Sequence, residues 1–224
     1  MSEPAYDLLT RETLAFAAEL GSCLSGVADA RMLNDALEED FRPEDVLPGC
    51  RSVLVMSLHI PDGALEIMRR GKTNYSYSLF GYAYLNRELD FLAYRMSNFL
   101  EERGYATVPV PARNCAIGAR KPAYAMVSFR HAAVAAGIAA FGLSGIALTR
   151  KYGNRQRFIA LPTTAPLRTA EGLLDQSEVC DGCLECVKHC PAGALTLKPP
   201  HRCVLGGKTY NYAECSPEHC RIMA

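Results

Sequence analysis

The sequence predicts a mixed α/β domain followed by a small, metal-supported module at the C-terminus. Two observations predict this division. Helical and strand patterns are mixed over roughly the first 170 of the 224 residues, and seven of the ten cysteines lie after residue 173. A hydrophobic content of 49% is enough for a packed core of ordinary size. We therefore predict one domain at residues 1–173 and a second at 174–224.

Three helices are predicted from apolar residues that recur at three- and four-residue steps. The first covers residues 5–20 and ends at Gly21. A long helix is expected at 82–103, and an alanine-rich one at 129–140.

Four strands are predicted between and after these helices. Residues 52–59 form a continuous apolar run whose length suits a buried strand. Residues 105–110 form a short candidate strand that prolines interrupt. Residues 146–149 and 157–161 indicate two strands around a turn.

The most informative motif is a run of four cysteines at C-x2-C-x2-C-x3-C, namely Cys180, Cys183, Cys186 and Cys190. Pro191 follows the last of them. This is the bacterial ferredoxin spacing, in which three thiolates hold one iron–sulfur cluster and the fourth serves another. A disulfide framework does not explain the spacing, and zinc is the better competitor. The run therefore predicts a [4Fe–4S] cluster and one-electron chemistry.

The remaining tail cysteines suggest a second cluster that is one ligand short. Cluster one would take the first three cysteines of the run and a distant partner, most plausibly Cys220. Cluster two would take Cys190, Cys203 and Cys215. The fourth ligand of cluster two is open: the candidates are Cys115, His219 and His201, and with none of them the cluster would be [3Fe–4S]. A single cluster is the alternative. By contrast, Cys23 and Cys50 are expected to be small buried hydrophobes.

Charge is distributed unevenly although the net charge is zero. Residues 103–170 contain eight arginines, two lysines and no carboxylate. Either these cations pair with acids from the flanking segments, or they bind a large anionic ligand. Nucleic acid is not expected, because there is no matching motif and no overall basic excess.

The chain is expected to be cytoplasmic and to have no membrane partner. Its N-terminus is polar and acidic, unlike a signal peptide. The most apolar stretch, 132–143, is too short to span a bilayer. Ten cysteines in such a chain favour metal binding in a reducing compartment.

An ordered series of short motifs precedes the cysteine run: SFRHAAVAAG at 128–137, FG at 141–142, ALTRKYG at 147–153 and TTAPL at 163–167. With the run, this series resembles the family of epoxyqueuosine reductase and the reductive dehalogenases. The resemblance implies a nitroreductase-like α/β domain that binds a corrinoid (cobalamin), with clusters placed to reduce its cobalt; FMN is the alternative cofactor. The residues expected to bind the cofactor are Arg113, Lys121, Arg130, His131 and Gly142.

The sequence also departs from the pattern of that family. The stretch 122–128 has no carboxylate where epoxyqueuosine reductase has an acidic proton donor. Thr164 stands where an aspartate is often found, and the second cysteine run is degenerate. Reduction of epoxyqueuosine itself is therefore not expected.

Tyrosine is the next candidate for a proton donor, because aspartate is missing. Tyr75 and Tyr77 lie in a tyrosine-rich stretch that leads into the long helix. Aromatic packing over a cavity is the simpler interpretation. The predicted function is transfer of single electrons from [4Fe–4S] clusters to a corrinoid for reduction of a small or nucleoside-like substrate. The alternatives are an electron-transfer or corrinoid-reducing partner of another redox protein, and a flavin-dependent reductase.

Overall fold

The computed structural model describes residues 5–113 and 126–222. Their α-helices are α1 (Ala5–Glu19), α2 (Ala30–Ala36), α3 (Pro43–Val46), α4 (Asp62–Arg69), α5 (Tyr84–Glu101), α6 (Phe129–Ala135), α7 (Glu185–Lys188) and α8 (Pro217–Ile222). Their strands are β1 (Leu24–Asp29), β2 (Ser52–His59), β3 (Ala140–Phe141), β4 (Ala147–Leu148), β5 (Gln156–Thr163), β6 (Leu195–Leu205) and β7 (Lys208–Cys215). A π-helical segment, Tyr77–Ala83, precedes α5, and a 3-10 turn, Gln176–Glu178, precedes the cysteine run.

A three-stranded antiparallel sheet in the order β1-β2-β5 forms the centre of the fold. Both of its faces are covered, because successive residues of β2 pack into different cores. Val53 and Val55 belong to one core, whereas Leu54 and Met56 belong to the other. Two-sided burial explains why β2 is a continuous apolar run in the sequence.

One face of the sheet is covered by α1 and α5. The apolar stripe of α5 supplies Leu89, Leu92, Met96 and Leu100, which are at most 6% exposed. Each fully buried side chain of this size contributes about 1.5–3 kcal/mol. The predicted helix at 82–103 is therefore confirmed in substance, although its first turn is π-helical and α5 proper begins at Tyr84.

The other face is covered by α2 and α6, which bring small side chains close to the sheet. A Cβ atom at Gly26 of β1 would lie 2.8 Å from the carbonyl oxygen of Ala136. This close approach requires glycine on the strand. The predicted helix at 129–140 was too long, because Gly137 has a φ of +67° and ends the helix after Ala135.

The C-terminal hairpin of β6 and β7 packs into the same core as α6. Tyr210 and Tyr212 lie with ring centroids 5.6 Å and 5.0 Å from that of Phe141. The sequence suggested a tail that apolar burial alone could not hold, yet this hairpin contributes buried residues to the main core. The boundary at residue 173 thus separates two sequence segments that share one core.

Other strand predictions had mixed outcomes. Strand 52–59 is confirmed as β2, and the two strands around a turn are present as β4 and β5, though in different sheets. The predicted strand at 105–110 was wrong, since only Thr107 forms an isolated bridge, to Thr163. Prolines there cannot donate to a ladder. None of the helices in the two described stretches is long and apolar enough to cross a bilayer.

Candidate iron–sulfur centre

The cysteine run forms a surface loop between the 3-10 turn and β6. Gly182 and Leu184 adopt positive φ angles of 76° and 65°, which turn the chain tightly before α7. Cys183 and Cys186 are exposed, whereas Cys180 and Cys190 are half-buried. The two middle cysteines of the run are therefore at the surface, and the two outer ones are partly covered.

Backbone N–H groups surround the sulfur of Cys190. The amide of Ala194 donates to Sγ at 3.3 Å. This hydrogen bond, with further ones from the amides at residues 192, 195 and 193, lowers the pKa of the Cys190 thiol. Such donors stabilise the thiolate, which is the form that binds iron. The surroundings of Cys190 thus fit an iron–sulfur ligand.

Cys190, Cys215 and Cys220 are brought together by backbone contacts. Cys215 pairs across the hairpin with Leu195, which follows the Ala194 amide bonded to Cys190. The amide of Ser216 donates to the Ala194 carbonyl at 2.9 Å, and the amide of Cys220 to the Ser216 carbonyl at 3.1 Å. Burial, then Cys220 and Cys190, raise the pKa of the Cys215 thiol. These three thiols are neighbours.

Cys203 lies elsewhere on the hairpin. It is 6% exposed, belongs to the main core and stands opposite Tyr210. Tyr210 and Cys215 are five residues apart on β7, about 16 Å at roughly 3.3 Å per residue. A thiolate must approach its metal to about 2.3 Å, as at zinc. The structure therefore does not bring Cys203 to the set predicted for cluster two.

Over the parts of the chain that the structure describes, no three His, Cys, Asp or Glu side chains already form a metal-ligand set. The donor chemistry nonetheless fits an iron–sulfur cluster, because the loop offers thiols in the ferredoxin spacing and amides that favour the thiolate. Of the open candidates for the eighth ligand, His201 has its Nδ1 3.2 Å from a carboxylate oxygen of Glu214. Cys115 lies outside the described residues.

Arg130 lies near the point where the turn between β3 and β4 meets the ring of Tyr212 on β7. It lies in the first turn of α6, is exposed, and donates from Nη1 to the carbonyl of Gly145 at 2.6 Å. Burial raises the pKa of the Cys203 thiol, and the positive charge of Arg130 acts in the opposite direction. The same charge acts to lower the pKa of the Cys215 thiol. A guanidinium has five donors, so most of those on Arg130 are available to a ligand.

His131 is held as a neutral side chain inside the domain. Its Nδ1 lies 2.7 Å from Oγ of Ser128, and its ring packs edge-on against Phe141. Burial, then the charges of Arg130 and His201, lower the pKa of His131 to about 4. At neutral pH this histidine thus brings no positive charge to the cofactor region.

The lowered pKa predicts a pH-dependent stability. An unfolded histidine titrates near 6.5, so stability from neutral His131 is fully present above that pH and is lost as pH falls towards 4. At pH 5 the loss should be about 2 kcal/mol relative to pH 7. Denaturant unfolding of wild type and His131→Asn at both pH values measures it. Equal losses in the two proteins would contradict the assignment.

The other predicted cofactor residues are placed differently. Gly142 makes the turn between β3 and β4, where a Cβ atom would lie 2.5 Å from Cδ1 of Leu148. A larger side chain there would have to displace Leu148, and the role of Gly142 in cofactor binding stays a prediction. Arg113 is exposed at the end of a described stretch, and Lys121 lies outside the described residues. Of the five residues, Arg130 and His131 are the pair that the structure places beside the hairpin.

The tyrosine-rich stretch begins the π-helical segment. Tyr75 is 69% exposed, and Tyr77 is half-buried with its ring over Gly81. A Cβ atom at Gly81 would lie 2.7 Å from that ring.

A polar network next to Tyr82 was not predicted from the sequence. Asn86 is fully buried on α5, and its Oδ1 accepts from Nε of Arg157 at 2.6 Å. The guanidinium of Arg157 lies 4.4 Å from the ring centroid of Tyr82. Within the described part of the chain, Nδ2 of Asn86 has no hydrogen-bond partner. The sequence feature that could have indicated this network is an asparagine at a buried position of the apolar stripe of α5.

The carboxylate-free stretch is partly balanced by acids from its flanks. Four of its arginines form ion pairs, which are Arg103–Glu12, Arg150–Glu178, Arg155–Asp62 and Arg168 with Asp7 and Glu171. The simpler interpretation of the charge pattern therefore holds for these four. Arg130 and Arg157 instead bond to a carbonyl and an amide oxygen.

Comparisons with known proteins address both parts of the chain. Residues 176–196 match the family described as 4Fe-4S binding domain. An epoxyqueuosine reductase, solved with an epoxyqueuosine-modified tRNA stem loop, has a TM-score of 0.53 and 18% identity over 84% of this chain. A catabolic reductive dehalogenase has a TM-score of 0.66 and 17% identity over 98% of this chain. The chain shares their fold.

The predicted resemblance and fold class are thereby confirmed: a mixed α/β part precedes a ferredoxin-like C-terminal segment. The epoxyqueuosine reductase from Bacillus subtilis gives a similar result, with a TM-score of 0.54 and 18% identity. The chain spans 52% of the length of that reductase and 29% of that of the dehalogenase. No curated protein matches the sequence. The epoxyqueuosine reductase and reductive dehalogenase fold is thus combined here with a 4Fe–4S binding segment.

Proposed function

We propose that this protein is an iron–sulfur oxidoreductase that passes single electrons to a corrinoid bound by its N-terminal domain. The substrate would be a small or nucleoside-like molecule. The observation that carries the proposal is the position of Arg130, which is exposed on α6 and donates to the carbonyl of Gly145, a residue that lies against the ring of Tyr212 on β7. A ligand bound at Arg130 would therefore lie beside the hairpin whose β7 strand ends at Cys215. One of the solved dehalogenases is described as supporting a mechanism for B12-dependent dehalogenation.

The residues divide into two roles under this proposal. Cys180, Cys183 and Cys186 would hold the first cluster with a fourth ligand that stays open. Cys220, predicted for that cluster, is instead a neighbour of Cys190 and Cys215 and would contribute with them to a second. Arg130 would bind the phosphate of the corrinoid through its remaining N–H donors. Because His131 is neutral, it would add no second positive charge next to Arg130. When bound, the corrinoid would supply a cobalt centre that changes oxidation state by one electron.

The test uses anaerobically purified, cluster-reconstituted protein mixed with cob(II)alamin and followed by electron paramagnetic resonance. We expect the nitrogen splitting from the cofactor's own lower base to disappear, which would show base-off binding. Arg130→Gln should weaken binding at least about tenfold, since it removes a charge-assisted contact. Arg202→Gln, an exposed arginine on β6, is the matched control. An unchanged free-cofactor spectrum with the wild-type protein would refute the corrinoid, leaving FMN to be tested on the same fold.

A second candidate function is electron transfer to another redox protein, without a substrate of this chain's own. The exposure of Cys183 and Cys186 favours it, because a cluster held there would be accessible to a protein partner. In that case the reduced protein should pass electrons to an added ferredoxin or flavodoxin, with no change in the cob(II)alamin spectrum. Failure of both transfer and cofactor binding would exclude both candidates.

The proton-donor hypothesis predicts unequal effects of two conservative changes. Tyr75→Phe and Tyr77→Phe should both preserve the cob(II)alamin spectrum, whereas one of them should abolish turnover because the phenolic proton is lost. Turnover is measured with the model substrate that the wild-type protein reduces fastest. Tyr94→Phe, 60% exposed on α5, is the control. Normal turnover by both variants would show that neither tyrosine donates the proton.

A further inference from the structure

A second polar site lies where β1 ends and β2 begins. A cavity of about 400 Å³ opens there, and its lining includes Arg31, Arg51 and Arg168. This volume is within the usual range of small-molecule sites. The lining comes from the start of α1, the β1–α2 junction, the residues before β2 and those after β5. It includes no residue of the cysteine run and none of those assigned above to the corrinoid.

The charge balance of this cavity is positive. Arg31 and Arg51 are exposed, and neither has a carboxylate partner in the described part of the chain. Arg168 is balanced by Asp7, 3.6 Å away, and by Glu171. The residues that line the cavity include Arg31, Arg51, Arg168 and Asp29, a net charge of +2; Asp7 and Glu171 beside Arg168 lie outside that lining. The surplus favours an anionic ligand.

The arginines are attached to backbone that the central sheet holds in place. The amide of Arg51 donates to the carbonyl of Thr163 at 2.9 Å, and that of Arg168 to Oγ1 of Thr10 at 2.7 Å. The amide of Arg31 donates to Oδ1 of Asp29 at 2.8 Å. Asp29 pairs with Ser52 across β1 and β2, and Oγ of Ser52 donates to the carbonyl of Ala165. The three segments are therefore fixed relative to one another before any ligand binds, which lowers the ordering cost of binding.

The buried wall of the cavity does not repel an anion. Cys50 is 8% exposed and donates its thiol hydrogen to the Ser52 carbonyl at 3.4 Å. Burial raises the pKa of Cys50 to about 11, so the thiol stays neutral. This also confirms the prediction that Cys50 is a buried hydrophobe. Hydroxyl donors at the rim are provided by Tyr6 and Thr169.

We propose that this cavity binds the phosphate group of a small molecule. Arg31 and Arg51 would each present a planar fork of N–H donors to the phosphate oxygens. The hydroxyls of Tyr6 and Thr169 would donate to the same group, and Asp29 would accept from a hydroxyl or amine on the remainder of the ligand. The phosphate belongs either to a free phosphate ester or to a phosphate-bearing cofactor.

The test is isothermal titration of the intact, cluster-reconstituted protein with pyrophosphate at low salt. The Arg31→Gln/Arg51→Gln double variant should bind at least about tenfold more weakly, because both unpaired forks are lost. Arg31→Lys/Arg51→Lys keeps the charge but not the forks and should be intermediate. Arg87→Gln/Arg95→Gln removes the same charge from the exposed face of α5 and should bind like wild type.

The outcomes show whether the cavity binds phosphate and which kind of molecule carries that phosphate. Both arginines of the double variant are exposed, so its melting temperature without ligand should equal that of wild type. If cob(II)alamin binding also weakens in this variant, the phosphate of the cofactor lies in this cavity and not at Arg130; if it does not, the ligand is a free phosphate ester. No binding of pyrophosphate by wild type, or equal binding by the double variant and the α5 control, would overturn the proposal. Failure of the corrinoid test alone leaves this site in place.

Discussion

Replacing Cys183 or Cys186 by serine is expected to remove an iron–sulfur cluster completely. A [4Fe–4S] cluster needs four ligands, and the C-x2-C-x2-C motif provides three of them within seven residues of surface loop. Serine is a far poorer iron ligand than the cysteine thiolate. Iron content should therefore fall by about four atoms per chain, and the visible charge-transfer absorption should decrease with it. Both are measured on protein reconstituted under identical anaerobic conditions.

Serine variants of the other cysteines show which of them are cluster ligands. Cys23→Ser alters a half-buried cysteine whose Sγ lies 3.3 Å from Oγ of Ser57, and it should keep all of its iron. Cys215→Ser and Cys220→Ser should each lose a second cluster if one is present. Cys203→Ser should not, because Cys203 lies in the aromatic core opposite Tyr210.

Unchanged iron in every single variant would exclude the cysteine run as a cluster site. Iron loss in Cys203→Ser comparable to that in Cys215→Ser would show that the hairpin rearranges when it binds iron.

Truncating Tyr210 to alanine is expected to lower the free energy of unfolding by about 3–5 kcal/mol. Its side chain is 1% exposed, packs against Phe141 and donates its hydroxyl to the Leu174 carbonyl at 2.8 Å. Removal leaves a cavity where the hairpin meets α6 and the end of β3. The variant should also retain less iron, because the same hairpin holds Cys215. Denaturant unfolding followed by far-ultraviolet circular dichroism measures the loss.

Two matched variants separate packing from hydrogen bonding. Tyr210→Phe keeps the ring and leaves the Leu174 carbonyl without its donor, so it should lose about 1–3 kcal/mol. Val204→Ala, 49% exposed on β6, should change stability by less than about 0.5 kcal/mol. If Tyr210→Ala were no more destabilising than Val204→Ala, the hairpin would not be part of the main core.

Local patterns in the sequence were sufficient where one interaction dominates. The run at 52–59 was identified as a strand because both of its faces are apolar. The α5 stripe was identified because Leu89, Leu92 and Met96 recur at helical spacing. The cysteine run was identified because iron–sulfur ligation imposes its own spacing. In each case the determining residues are close together in the chain.

Predictions failed where the decisive partner is distant in the sequence. β1 was missed because Gly26 and Ser25 are poor strand formers, and the strand forms through pairing with β2 and contact with Ala136. The hairpin was missed because its buried tyrosines acquire their apolar environment from residues distant in the sequence, among them Phe141. Local propensity cannot report either contact.

The sequence alone determined the fold class, the ferredoxin-type run and the candidate role of Arg130. Only the tertiary structure showed which tail cysteines are neighbours. It separated Cys203 from Cys215, although they are only twelve residues apart in the chain. It also gathered Arg31, Arg51 and Arg168 around one cavity from three distant segments. The physical reason is the same in both cases. Backbone pairing in the sheet and hairpin fixes distances between side chains, and no pattern within a single segment contains that information.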